Sequence, residues 1–337
     1  MNFHYSTYRL ELKHRFTIAR GSEDMVDVVL VYFTKDGFTG VGEAAPSDRY
    51  DEDALIIVKH LNSLSFDELS VNDSLDDWLD AALPKANGMR SLEAAFDLAL
   101  HDLYGKLNNT AATDHFGADP SKACMTSFTI GIDDREKIRE KVMEAEEYPL
   151  LKVKLGSDND KEIINALRDV TDKLIRVDAN EGWDLEEGKK MCDWLAERNV
   201  EFVEQPLPAD NLDDTVKLRE YSPLELVADE NCIDSGDIPP ISDAFDGINI
   251  KLMKCGGLRE AHKMIQMARE CNMKIMLGCM VETSIAITAA AILSPLVDYA
   301  DLDGNILTSN DPFDGVKVVD GMLVLPEGSG LGVNLKE

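Results

Sequence analysis

A parallel (β/α) barrel with a mixed α+β domain beside it, an α/β fold overall, is predicted by three features of the 337-residue sequence. First, eight short apolar runs recur between residues 121 and 310, most of them separated by stretches that fit amphipathic helices. Second, marker residues at the run ends are almost evenly spaced. Lys154 to Asp178 is 24 residues, followed by steps of 26 to Glu204, 25 to Asp229, 22 to Lys251 and 27 to Gly278. A near-constant βα period favours a closed barrel over an open sheet. Third, charged residues stand at the ends of most of these runs, where a barrel gathers its chemistry.

Taken in order, residues 1–120 read as the α+β domain. "DVVLVYFTKDGFTGVGEAAP" is a β-rich run, a Lys35-Asp36-Gly37 turn and a second strand, which predicts a hairpin. "SLEAAFDLALHDLYGKL" places Leu92, Ala95, Phe96, Ala99, Leu100 and Leu103 at helical spacing, with Ser91 as the expected N-cap. The barrel, residues 121–310, then runs through "MTSFTIGI", "LLKVKLG", "LIRVDAN", "EFVEQP", "LELVADE", "GINIKL", "KIMLGC" and "VDYADLDG". Segments such as "DKEIINALRDVTDK" and "REAHKMIQMARECN" supply helices between them. After Asp303 no further βα unit follows. "VKVVDGMLVLPEGSGLGVNL" is hairpin-like, and residues 311–337 are expected to return to the first domain and complete it.

Composition narrows the functional classes. A formal charge of -30 disfavours nucleic acid and anionic membranes, because neutralising phosphates takes a basic surface. A small molecule is the expected partner, and the sequence leaves a homo-oligomer open. The six cysteines contain no CxxC pair, so a disulfide framework or thiolate zinc site is not expected. The opening "MNFHYSTYRLELKHRF" alternates and carries charge, and no run of 18 apolar residues occurs. The expected location is cytoplasmic.

The strand ends carry the candidate site. Asp178, Glu204 and Asp229 come from three successive strands and can converge on one point. Convergent carboxylates repel unless a cation sits among them, and an all-oxygen set suits Mg²⁺. Salt bridges to neighbouring lysines would be the other way to hold them. Residues two apart on a strand face the same way, so Lys152 and Lys154 both point into the mouth. Lys251 arrives from the sixth strand, on the other side of the carboxylates. A lysine beside a divalent cation and partly desolvated is expected in general-base range, and two such lysines suit a 1,1-proton transfer next to a carboxylate. Neutralising carboxylates is the plainer role, which stays open for Lys152.

"KVKLG", "VDANEGW", "VEQPLP", "ADE", "NIKLMKCGG" and "PEGSGLGV", in this order and spacing, resemble the enolase superfamily, and within it the muconate-lactonizing subgroup, over essentially the whole chain. That superfamily pairs a Lys or His base with Mg²⁺. The resemblance implies a modified (β/α)7β TIM-type barrel capped by an α+β domain built from both termini. It makes Asp178, Glu204 and Asp229 the Mg²⁺ ligands and Lys154 and Lys251 the acid/base pair. Lys152 then supports Lys154 and touches the substrate carboxylate. A His base on the seventh strand, as in the mandelate-racemase branch, has no counterpart in "KIMLGCMVET".

Within the lysine branch, "DLDG" resembles the DxD of dipeptide epimerases, whose carboxylates bind the substrate α-ammonium. Asp301 and Asp303 match it, and two carboxylates facing an ammonium form charge-assisted hydrogen bonds. "FTIARGS" resembles the loop that closes over substrate, and Arg20 matches an Arg that pairs with a glutamate side chain. Ser284 stands where some relatives of that kind have Lys. The resemblance therefore implies a Mg²⁺-dependent dipeptide epimerase for L-Ala-D/L-Glu from murein peptides. Other dipeptides, N-acylamino acid racemisation and cycloisomerisation are the alternatives.

Overall fold

The computed structural model describes residues 1–66, 69 and 74–336. The domain ranges expected from the sequence also include residues 67, 68, 70–73 and 337, which lie outside the described set. The N-terminal part is an antiparallel sheet of β1 (Asn2–Ile18), β2 (Gly21–Lys35) and β3 (Phe38–Ala44). Asp36 and Gly37, at φ 49° and 83°, make the tight turn that the sequence predicts. Helices α1 (Ala54–Leu61), α2 (Leu75–Ala82), α3 (Arg90–Asn108) and α4 (Ala112–Phe116) follow. The apolar stripe of α3 lies on the sheet, with Phe33, Phe96 and Trp78 buried. Glycines let it approach: a Cβ on Gly40 or Gly42 would sit 2.1 or 2.0 Å from a carbonyl oxygen of α3.

Ser91 is not the N-cap of α3. Met89 holds that position, and the Ser91 hydroxyl donates to Glu52. Glu52 also accepts from the backbone N–H groups of Arg90 and Ser91 at 2.5 and 3.1 Å. A carboxylate 38 residues upstream thus satisfies the helix start.

The barrel strands are β4 (Phe128–Ile130), β5 (Leu150–Lys154), β6 (Leu174–Asp178), β7 (Val200–Glu204), β8 (Glu225–Ala228), β9 (Gly247–Lys251), β10 (Lys274–Gly278) and β11 (Tyr299–Ala300). Each pairs in parallel with the next, and a parallel bridge from Thr126 to Ala300 joins the two ends. The crossovers are α5 (Arg135–Glu144), α6 (Asp160–Arg168), α7 (Leu185–Ala196), α8 (Leu212–Tyr221), α9 (Ile238–Ile241), α10 (Leu252–Cys255) with α11 (Leu258–Glu270), and α12 (Ser284–Ile292). No described helix crosses back after β11, which makes the architecture (β/α)7β.

Alternation along the strands sorts the barrel interior into two layers. Phe202, Val227, Met276 and Tyr299 fill the lower layer, and the Arg176 guanidinium lies 5.2 and 4.6 Å from the Phe202 and Tyr299 ring centres. Two residues further along, at Glu204, Asp229 and Asp301, the interior turns polar, while β10 has Gly278 at that level. Register places Lys154 beside Asp178 and Asp178 beside Glu204.

The cap docks on the barrel through two buried carboxylates, Glu43 of β3 and Asp97 of α3, each at the start of a barrel helix. Glu43 accepts from the Thr283 and Ala286 N–H groups at 2.8 and 3.3 Å, at the start of α12. Asp97 accepts from the N–H groups of Leu258 and Arg259 at 2.7 and 3.3 Å, at the start of α11. Negative charge at a helix N-terminus is stabilising. Burial nevertheless raises Glu43 to about 7.

The C-terminal segment differs in part from expectation. Strands β12 (Phe313–Asp314) and β15 (Asn334–Leu335) pair, and β13 (Lys317–Val319) and β14 (Met322–Val324) form the expected hairpin. That hairpin packs at the base of the barrel, where Thr126 N donates to Gly321 O at 2.9 Å. The following stretch reaches the first domain, with Leu331 N donating to Asp102 at 2.9 Å. Among the described residues no helix is long and apolar enough to cross a membrane.

Candidate active site

Asp178, Glu204 and Asp229, at or just beyond the ends of β6, β7 and β8, each offer a carboxylate oxygen, and these oxygens lie within 4.8 Å of one another. All three residues are essentially inaccessible. Each carboxylate is held on one side by a donor of the barrel wall. Asn180 N donates to Asp178 Oδ1 at 3.0 Å, Asn249 Nδ2 to Glu204 Oε1 at 2.7 Å, and Lys254 Nζ to Asp229 Oδ1 at 2.7 Å. Their other oxygens face the mouth lysines. Lys154 Nζ is 2.6 Å from Asp178 Oδ2, Lys152 Nζ is 2.7 Å from Glu204 Oε2, and Lys251 Nζ is 2.8 Å from Asp229 Oδ2.

Cluster and lysines are thus found together, and both sequence readings of the carboxylates describe part of the same arrangement. A divalent cation fits the donor set, since three carboxylates converge without His or Cys. Within the cluster, Glu204 Oε2 is a buried acceptor without a hydrogen-bond partner, as are both oxygens of Glu230, the neighbour of Asp229.

Charge coupling sets the protonation pattern. Burial raises Asp178, but Lys154 and Lys152 outweigh it and bring the group down to about 2. Asp229 is likewise held well below the usual carboxylate range by Lys251 and Lys254 against the effect of burial. Glu204 rises to about 7 through burial and the charge of Asp178. Lys251 departs from the sequence expectation of a lowered lysine. Burial disfavours its ammonium, yet Asp229 and Glu204 prevail and raise it. Lys152 is raised in the same way by Asp301, Glu204 and Asp178. A divalent cation among those carboxylates would offset their charge and favour the neutral amine.

The remaining candidates also reach the mouth. Asp301 accepts from Lys152 Nζ and from Ser127 Oγ, each at 2.7 Å. Asp303 accepts from Thr129 N at 2.6 Å, and burial together with the charge of Asp301 raises it to about 7. Arg20 sits at the tip of the β1–β2 hairpin, with Nη1 2.7 Å from Glu230 Oε1 and donating to Asn180 O at 3.2 Å. Its closeness to Glu230 lacks hydrogen-bond alignment, since both Glu230 oxygens remain unpartnered. Ser284 hydrogen-bonds with Asp311 at 2.5 Å and Asn305 at 2.9 Å, and so offers no positive charge.

Family models match almost the whole chain: "Mandelate racemase / muconate lactonizing enzyme, N-terminal domain" over residues 6–117 and "Enolase C-terminal domain-like" over residues 134–337. The chain belongs to the enolase superfamily. Among its superfamily relatives is the L-Ala-D/L-Glu epimerase of Bacteroides thetaiotaomicron, 43% identical over 99% of this chain and 88% of that protein. The L-Ala-D/L-amino acid epimerase of a Maribacter species is 38% identical over 100% of both. A similar solved structure is a dipeptide epimerase from Methylococcus capsulatus complexed with Mg and the dipeptide L-Arg-D-Lys. It has a TM-score of 0.90 and 29% identity over 98% of each chain.

Against this enolase-superfamily background, two residues absent from the sequence-derived set stand out. Asn249 lies two positions before Lys251 on β9, so strand alternation already places it inward. Lys254 sits in α10, one turn after Lys251, wholly buried against Asp229 and the carbonyls of Cys232 and Asn249. No strand rule reaches it, although it stands within the quoted "NIKLMKCGG".

Proposed function

We propose that the chain is a Mg²⁺-dependent dipeptide epimerase of the cytoplasm. It moves a proton at the α-carbon of the C-terminal residue, with L-Ala-D/L-Glu from murein peptides as substrate. The observation that carries this reading is the pair Lys154 and Lys251, which approach one carboxylate cluster from opposite strands. Asp178, Glu204 and Asp229 would hold the metal, which supplies positive charge to the substrate carboxylate and so acidifies the neighbouring C–H. One lysine takes the proton from one face and the other returns it on the opposite face. Lys152 is assigned to the substrate carboxylate and to keeping charge near Lys154.

The domain division proposed from the sequence, 1–120 with 311–337 as cap and 121–310 as barrel, separates these roles, with the β13–β14 hairpin of the last segment lying against the barrel. The barrel carries the lysines and the cap carries Arg20. Anion recognition of a glutamate side chain is assigned to Arg20, since Ser284 carries no positive charge and its hydroxyl donates to Asp311. The names of the relatives support the reading, and Asp301 and Asp303 favour a substrate with a free ammonium over an N-acylated one.

Asp301→Asn tests that last point. The variant should raise KM for L-Ala-L-Glu roughly 10- to 100-fold, the scale of a hydrogen bond to a charged group. The N-acetylated dipeptide, which lacks the ammonium, should be affected far less. Equal effects on both, measured by polarimetry, would remove Asp301 from ammonium recognition.

A further inference from the structure

Glu181, in "VDANEGW", has no role in the proton transfer described above, yet its setting is unusual. Asn180 and Glu181 are both left-handed, at φ 45° and 68°, a region that non-glycine residues seldom occupy. The turn is held by Glu181 N donating to Gln205 O at 2.9 Å. At Gly182 a Cβ would sit 2.4 Å from Gly156 Cα. That backbone turns the Glu181 carboxylate up to the underside of the cap.

There it accepts four hydrogen bonds. Arg49 gives two, from Nε at 3.2 Å and Nη2 at 3.1 Å, in the paired geometry that suits guanidinium and carboxylate. Arg20 Nη1 gives one at 3.3 Å, and Ala209 N, in the loop after β7, gives one at 2.9 Å. One partly buried carboxylate therefore joins two separate cap segments, the β1–β2 tip and residues 47–50, to two barrel loops.

We infer that Glu181 is a positioning residue that fixes Arg20 over the mouth and seats both cap segments on the barrel. Glu230 lies beneath Arg20 and attracts the guanidinium inward. Glu181 opposes that pull from the side, leaving Arg20 between two anions and in reach of a third, brought by the substrate. The substrate part of the inference rests on the proposed function; the seating of the cap does not.

Two measurements on the full chain separate them. Hydrogen exchange by mass spectrometry on Glu181→Ala and Glu181→Gln should show faster exchange in residues 14–25 and 47–52, with the barrel strands unchanged. Arg49→Met should loosen residues 47–52 more than the β1–β2 tip. With L-Ala-L-Glu as substrate, Glu181→Ala should raise KM roughly tenfold, the worth of one charged hydrogen bond, with a smaller change in kcat. In an Arg20→Met background it should add little to KM.

Unchanged exchange in both segments, or faster exchange spread over the whole barrel, overturns the seating role. A fall in kcat alone, or a full KM effect in the Arg20→Met background, overturns the positioning of Arg20. If wild-type enzyme leaves L-Ala-L-Glu untouched, the substrate reading fails, and the exchange result still decides whether Glu181 seats the cap.

Discussion

Replacing Lys154 or Lys251 by Met is expected to lower epimerisation roughly 10²- to 10⁴-fold, the usual contribution of a positioned acid or base. Both variants should fold. Without Lys251, Asp229 keeps Lys254 at 2.7 Å, and without Lys154, Asp178 keeps Lys152 at 3.4 Å and the N–H of Asn180. The loss should also be one-sided. Each lysine serves one face of the α-carbon, so each variant should still wash out the α-hydrogen from one epimer and not from the other. Proton NMR in D₂O with each pure epimer reads this directly. Complementary exchange in the two variants supports two bases on two faces, and full epimerisation by both variants contradicts it.

Asp229→Asn should combine loss of activity with a large loss of stability. Lys254 is buried without solvent contact, and Asp229 is its only carboxylate partner among the described residues. Removing one member of a buried ion pair leaves an uncompensated charge, which costs roughly 3–5 kcal/mol. Lys251 loses its 2.8 Å partner at the same time. Glu204→Gln offers a contrast. Burial and Asp178 already favour the protonated form of Glu204, which an amide resembles, so its stability cost should be smaller. Denaturant unfolding checks the order, and titration calorimetry with Mg²⁺ should show weakened binding in both. An Asp229→Asn protein as stable as wild type would contradict the assigned pairing with Lys254.

Strand-end spacing made the barrel legible, because a βα unit has a length that the sequence repeats. Strand alternation then indicated Lys152, Lys154, Asp301 and Asp303, and applied once more it would have reached Asn249. Lys254 lay beyond it because a short helix, α10, turns that side chain back under Asp229. The start of α3 is not legible locally, because its capping carboxylate, Glu52, comes from a distant loop. The protonation of Lys251 is hidden for a related reason. Burial of one lysine can be judged from a strand pattern, whereas the sum of Asp229, Glu204 and Lys152 around it needs the assembled site. Glu181 gives no signal of its own in the sequence, since its partners Arg20 and Arg49 lie 161 and 132 residues upstream.

The most direct test of the proposed chemistry is incubation of pure L-Ala-L-Glu with the wild-type protein and Mg²⁺ in D₂O, followed by mass spectrometry and chiral separation. The account predicts one deuterium at the glutamate α-carbon, none at the alanine α-carbon, accumulation of L-Ala-D-Glu, and loss of both the deuterium uptake and the new epimer on chelation of the metal. No α-deuterium under these conditions, or turnover of N-acylated amino acids in its place, would contradict it.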